Sequence, residues 1–327
     1  MDYSFSKTER RILLAPLSDI NKTYISLILS TFIWGSAFIA AKVSVAVFHP
    51  FTVAFLRFFG ASIVLWIVMT LREPNRPKLA KQDIITFTIL GLVGIYGYNV
   101  LFFYGVMLAP VTKSSLMIAT NPIFIAILSV IVLKEKLRPL QFLGVLLGIV
   151  GAFVIITNGS ILSFFEAGVT KVDFILIGAV ICWAIYSIVG KISLQRFSPL
   201  VSTTYACIAG TFFLFVFSLP QIMNEQYSNA NITVWSAIVY MAVVVSALSF
   251  VLWYDGIRVV GAAKAASFIN LMPISAVTLA VLIFGEKLSI YQFYGAVLII
   301  IGVYLSNRKY STKPLVNQEQ NIKLQDS

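Results

Sequence analysis

Four cations stand inside, or at the ends of, long apolar runs. Lys42 and Arg57 each interrupt such a run. A cation at the centre of a membrane helix costs about 2.5–3.5 kcal/mol on insertion scales unless something pairs with it. Near a helix end the same side chain can snorkel outward instead, and both readings stay open for these two. Lys113 and Lys264 occupy matching positions in the first turns of the fourth and ninth runs. A cation there opposes the positive end of the helix dipole, by about 0.3–1 kcal/mol. An anion held between the lysine and the free N–H groups reverses that penalty. The chemistry implied is attraction of a carboxylate or phosphate at two mouths, with a plain orientation role weighing equally for Lys264.

Pro122 and Pro273 follow those lysines by nine residues. Each removes a backbone donor, frees the carbonyl of Ile118 or Ile269, and is expected to act as a hinge. Asn121 and Asn270 sit beside these kinks, placed to bond the freed carbonyls or a solute. Further candidates for solute binding are Trp34, Tyr96, Asn99, Trp183, Tyr186, Tyr205 and Trp253, aromatic or amide side chains within the apolar runs. Asp255, with Arg258 three residues on, reads as a local ion pair.

Catalytic constellations are missing from the chain. It has one histidine, His49, and carries no His-Glu-x-x-His, no phosphate-cradling loop and no nucleophile elbow. The sequence therefore predicts no enzyme, no cofactor and no metal. Cys182 and Cys207 both lie in apolar runs and offer no disulfide framework.

The elements that position these residues follow from composition. Of 327 residues 59% are hydrophobic and only 11% charged, with a mean hydropathy of +0.92. Soluble chains carry about 25% charge, and disorder requires low hydrophobicity. The expected fold class is an all-α integral membrane protein. Ten apolar segments stand out: Tyr24–Val47, Phe51–Leu71, Ile84–Leu108, Ser114–Leu133, Leu140–Thr157, Phe174–Leu194, Leu200–Leu219, Val234–Ile257, Ala262–Phe284 and Ile290–Ser306. Each is long enough to cross a ~30 Å hydrocarbon core as a helix. The net charge of +11 collects in alternate loops, as in a chain whose cytoplasmic loops are positive. That alternation predicts a multi-pass protein of the cell membrane with both termini cytoplasmic, and excludes nucleic acid as a partner.

The chain also repeats itself. Trp34, Lys42 and Pro50 recur 149 residues later as Trp183, Lys191 and Pro199. Gly105, Pro122, Glu135-Lys136-Leu137, Gly144 and Gly151 recur 151 residues later as Gly256, Pro273, Glu286-Lys287-Leu288, Gly295 and Gly302. Five helices is an odd number, so the second repeat enters the membrane from the opposite face. Inverted repeats of this kind build alternating access around a midplane site. The boundaries expected are a cytoplasmic tail over 1–23, repeats over 24–157 and 173–307, an extracellular linker over 158–172 and a second tail over 308–327. Gly144, Gly148 and Gly151 place small residues on one face of the fifth helix, suited to close packing.

The motif Trp-Gly-Ser-x-Phe-(x)3-Lys at 34–42 with Leu56-Arg57-Phe58 resembles the EamA repeat of the drug/metabolite transporter superfamily. Pro122 with Glu135-Lys136-Leu137, and Gly261-Ala262-Ala263-Lys264-Ala265 with Pro273 and Gly285-Glu286-Lys287-Leu288, resemble it likewise. The resemblance implies ten helices in two inverted repeats and export or exchange of small metabolites, often amino acids or related compounds. The reading is a secondary transporter of a small polar solute, anionic or zwitterionic because buried cations want a negative partner. A lipid flippase or channel on the same scaffold is the alternative, with a non-transport receptor behind it. Membrane lipid surrounds the chain, and coupling to protons and a homodimer stay open.

Overall fold

The computed structural model describes residues 17–109, 114, 117–135, 138–157, 159–160, 170–275, 278–279 and 289–307. Every regular element among them is helical. We number the ten helices in chain order. The first repeat holds α1 (Leu17–Val45), α2 (Pro50–Arg72), α3 (Lys81–Leu108), α4 (Met117–Leu133) and α5 (Pro139–Thr157). The second holds α6 (Lys171–Ser193), α7 (Pro199–Asn224), α8 (Ile232–Val260), α9 and α10 (Ile290–Asn307). Helix α9 begins at Ala262–Ser267, tightens to a 3-10 turn over Phe268–Leu271, and is helical again over 272–275. Seven of the ten are long and apolar enough to cross a membrane, and α4 and α5 are shorter apolar helices. Two ends differ from expectation. Helix α1 starts seven residues before Tyr24, and α7 runs through Pro220 to Asn224.

The inversion is visible in contacts between repeat mates. Helices α5 and α10 cross antiparallel on their glycines. A Cβ on Gly144 would meet the Gly302 carbonyl at 2.5 Å, and one on Gly151 would meet that of Gly295 at 2.6 Å. Since Gly144 and Gly151 are the mates of Gly295 and Gly302, each contact is the other's image under a two-fold axis in the membrane plane. Ser62 hydrogen-bonds its own mate Thr211 at 2.9 Å, and Trp34 meets its mate Trp183 edge to face, centroids 5.1 Å apart. Residues that touch their own mates lie on that axis. Helices α2 and α7 cap each other across the membrane. Glu73, after α2, accepts from the Ser198 hydroxyl at the start of α7, 2.7–2.8 Å. Glu225, after α7, accepts from the His49 N–H at the start of α2, 3.0 Å. Each carboxylate sits where a helix dipole favours negative charge.

These caps define two faces. The basic face carries Arg76, which donates to the Tyr205 hydroxyl at 3.3 Å, and Arg196, which pairs with Asp83. The opposite face carries His49 and Glu225. The lysines at the ends of α1 and α6 are a further symmetric pair. Lys42 Nζ donates to the Val106 carbonyl at 3.0 Å, and Lys191 Nζ to that of Ile257 at 2.7 Å. Both lysines sit at the negative ends of α3 and α8, where a cation stabilises the helix. The Asp255–Arg258 ion pair forms at 2.5 Å.

Candidate functional site

Helices α3 and α8 widen into π-helical segments at Leu90–Gly97 and Met241–Leu248, in the same repeat register. A π segment breaks the regular bond ladder and leaves carbonyls for side chains, which is why such segments cluster at functional sites. Here the carbonyls are used. Asn99 Nδ2 donates to Ile95 O at 2.9 Å and Gly94 O at 3.4 Å, and the Trp34 indole donates to Val245 O at 3.3 Å. The glycine at 94 is needed on its other side, because a Cβ there would lie 2.0 Å from the Tyr186 ring.

Held this way, Asn99 turns its oxygen to Arg57. Arg57 Nη1 donates to Asn99 Oδ1 at 3.2 Å, and Nε to Ser246 Oγ at 2.6 Å. Its guanidinium lies over Phe58, 4.9 Å from the ring centroid. Arg57 is 3% exposed, and among the described residues no carboxylate pairs with it. Two of its five N–H donors are committed to Asn99 and Ser246. Arg57 borders a cavity of about 30 Å³ lined also by Trp34, Phe38, Tyr98, Phe102, Asn121, Trp183 and Phe250 among others.

The cavity draws walls from α1, α2, α3 and α4 of one repeat and α6, α8 and α9 of the other. It straddles the two-fold axis, since Trp34 and Trp183, Ile118 and Ile269, and Asn121 and Met272 are mates that all line it. Its volume has room for about two waters, so an organic solute requires the repeats to move apart. The polar cluster itself is one-sided. The mates of Arg57, Asn99 and Ser246 are Ala206, Phe250 and Ile95.

The two prolines interrupt their helices. Helix α4 turns at Thr120 and restarts at Asn121–Leu133, with Pro122 in its first turn. Asn121 Nδ2 caps the freed Ile118 carbonyl at 3.1 Å, while its Oδ1 has no partner among the described residues. In α9 the 3-10 turn ends at Leu271, two residues before Pro273. Asn270 is 1% exposed and packs its amide over Gly148, and among the described residues its side chain has no hydrogen-bond partner.

Of the candidates named from sequence, the structure brings Trp34, Arg57, Asn121 and Trp183 to the cavity wall, with Asn99 behind Arg57. Trp253 and Tyr186 pack against that wall, with rings 5.2 Å from Trp34 and Trp183 respectively. Lys42 is elsewhere, on the α3 carbonyl terminus. Tyr96 packs on Phe51 and Phe217, and Tyr205 on Phe87, both away from the cavity. Lys264 does not line the cavity. The anion position beside it, at the N-terminus of α9, is taken by the protein's own carboxylate: Glu135 accepts from Ala263 N–H at 3.4 Å. Two backbone turns allow this. Lys134 ends α4 in the left-handed region (φ 55°), and Gly261 opens α9 at φ 90°, which only glycine adopts freely. Lys113 lies outside the described residues. Sequence reasoning missed Ser246, a serine in an apolar run with no polar mate to mark it.

Comparison with known proteins follows the same division into two halves. The model of the EamA-like transporter family matches residues 21–157 and again 170–308. An uncharacterized transporter of Bacillus subtilis, YyaM, is 32% identical over 295 residues, covering 89% of this chain and 96% of its own. A probable terminal-alkyne amino-acid exporter of Streptantibioticus cattleyicolor is 28% identical over 290 residues, covering 89% and 95%. One crystal structure shares the fold with a TM-score of 0.71 at 18% identity, covering 88% of this chain and 97% of that one. With its two membrane halves inverted about a shared cavity and each half matched separately, the chain is a transporter of the EamA-like family.

Proposed function

We propose that this transporter exports or exchanges a small organic solute bearing a carboxylate, zwitterionic or anionic, by alternating access, and that Arg57 holds the carboxylate. The observation that carries this reading is a buried guanidinium on the cavity wall with no acidic partner among the described residues. A buried cation is tolerated when something pairs with it, and an anionic solute is that partner. The aromatic lining suits an apolar body attached to the carboxylate. A relative named as a probable amino-acid exporter supports the same substrate class. The basic face is taken as cytoplasmic, on the charge alternation of the loops.

The test is flux into proteoliposomes with three labelled probes: L-phenylalanine, benzoate and choline. The expected result is flux of phenylalanine or benzoate and none of choline. Choline flux without either carboxylate overturns the reading. A lipid flippase is the second outcome, scored by translocation of a fluorescent phospholipid in the same vesicles.

A further inference from the structure

We infer that the protein has a second solute subsite, on the basic-face side of the Trp34–Trp183 pair, built by the Trp253 indole N–H and the Tyr186 hydroxyl. The inference rests on the alternating-access reading above and extends it to the other half of the cycle.

The two-fold axis carries the first part. When inverted repeats exchange conformations, each residue of one chamber is replaced by its mate. The cavity sits on the side of Trp34–Trp183 nearer His49, and its off-axis wall includes Ala37, Phe38, Tyr98 and Phe102. Their mates are Tyr186, Ser187, Ser249 and Trp253. All four are buried, three of them at 0% exposure and Trp253 likewise. Tyr186 and Trp253, with Tyr254 stacked on Tyr186 at 5.1 Å, form an aromatic plug on the basic-face side.

The second part comes from hydrogen bonding and owes nothing to symmetry. Among the described residues the buried Trp253 indole N–H has no hydrogen-bond partner, and the buried Tyr186 hydroxyl has none beyond the neighbouring Tyr254 hydroxyl. The Tyr254 hydroxyl itself donates to the Tyr186 backbone carbonyl, 3.4 Å. An orphaned buried polar group is costly and calls for an explanation. The Trp253 N–H is such a group, and it and the Tyr186 hydroxyl stand at mates of cavity-wall positions whose own side chains, Phe102 and Ala37, carry no polar atom. The polar atoms are thus placed for the chamber that opens toward the basic face.

The chemistry of that chamber differs from the first. Its mate of Arg57 is Ala206, so it offers neutral donors and no charge. It takes a hydrogen-bond acceptor, such as one oxygen of the carboxylate, by two directed donors. The indole can only donate, while the hydroxyl can donate or accept.

The experiment needs no knowledge of the physiological solute. In a background with Cys182→Ala and Cys207→Ala, single variants Ser249→Cys and Ser187→Cys are treated with the impermeant anionic thiol reagent MTSES from each side of sealed membranes. Ala37→Cys reports the cavity on the His49 side, and benzoate is the probe for protection. Labelling of Ser249→Cys and Ser187→Cys from the basic face alone is expected. Benzoate should slow it about tenfold, an effect mostly lost in Trp253→Phe and Tyr186→Phe, since one hydrogen bond to a charged acceptor is worth about that factor. No labelling of either cysteine from the basic face overturns the inference. So does labelling that benzoate slows at Ala37→Cys but not at Ser249→Cys. If benzoate protects neither side, the carboxylate reading itself has failed, and the subsite's ligand falls with it. Thermal midpoints separate site from packing. Tyr186→Phe, which deletes one hydroxyl and little volume, should stay close to the parent in stability, whereas Trp253→Phe also leaves a cavity and should melt lower.

Discussion

Replacing Arg57 by methionine should separate function from folding in a single variant. The side chain keeps an apolar stem of similar reach and loses the guanidinium. Its bonds to Ser246 and Asn99 disappear, at about 1–3 kcal/mol for acceptors left wanting. Against this stands the removal of a buried, acid-free cation, whose desolvation costs several kcal/mol. Asn99 keeps its bonds to Ile95 and Gly94, so the π segment of α3 stays tied. The two effects nearly offset, and the thermal midpoint should fall by no more than roughly 3 °C, or rise. Binding responds differently. The donors not used by Asn99 and Ser246 can form a fork on a carboxylate, and truncating one side of such a pair costs about 2–5 kcal/mol. That is about 30- to 4,000-fold in affinity for benzoate or phenylalanine. Arg57→Lys keeps the charge without the fork and should fall between the two. The assay is concentration-dependent flux in proteoliposomes beside a melting curve. A KM for benzoate within threefold of wild type, with a midpoint lowered by 10 °C or more, would refute the reasoning and make Arg57 a structural residue.

Other predictions follow from the same geometry. Gly151→Ala and Gly295→Ala place a Cβ 2.6 Å from the partner carbonyl, so each should destabilise the α5–α10 pair by about 1–3 kcal/mol. As the two sides of one contact they should do so about equally, read as similar drops in melting temperature. Glu73→Ala and Glu225→Ala remove reciprocal caps at opposite faces, and each should cost about 0.5–2 kcal/mol; a loss confined to one of them would break the symmetry argument. Lys42→Met should lower stability and leave the benzoate KM within twofold, because Lys42 holds a helix end. A thiol reagent should reach Ser160→Cys from outside intact cells. Labelling only after permeabilisation would invert the proposed topology.

Much of this scaffold was legible from residue order alone. The spans, the repeat and its inversion follow from hydropathy, an offset and an odd helix count, and the glycine face of α5 named a packing surface that the crossing with α10 fills. Arg57 was flagged by charge, but whether it snorkelled could not be decided without knowing that Asn99 and Ser246 meet it. Lys42 had the same signal and a different fate, because the end of α3 supplies a carbonyl at its tip. That pairing spans 64 residues and has no local signature. The π segments left no mark in periodicity, since both are apolar all round. Lys264 has the charge and place of an anion trap, but Glu135 occupies the helix end beside it. Sequence placed the charges; only the fold determined which were already answered from within the chain.

One buried guanidinium, on the wall of a cavity shared by two inverted repeats, is held to select a carboxylate for transport. That selection is tested most directly by untargeted metabolite profiling of the medium from cells expressing wild type or Arg57→Gln at equal membrane levels. The account predicts that one class of carboxylate-bearing compounds accumulates outside cells with the wild-type protein and returns to background with the variant. Equal enrichment from both proteins, or enrichment of cations alone, would contradict it.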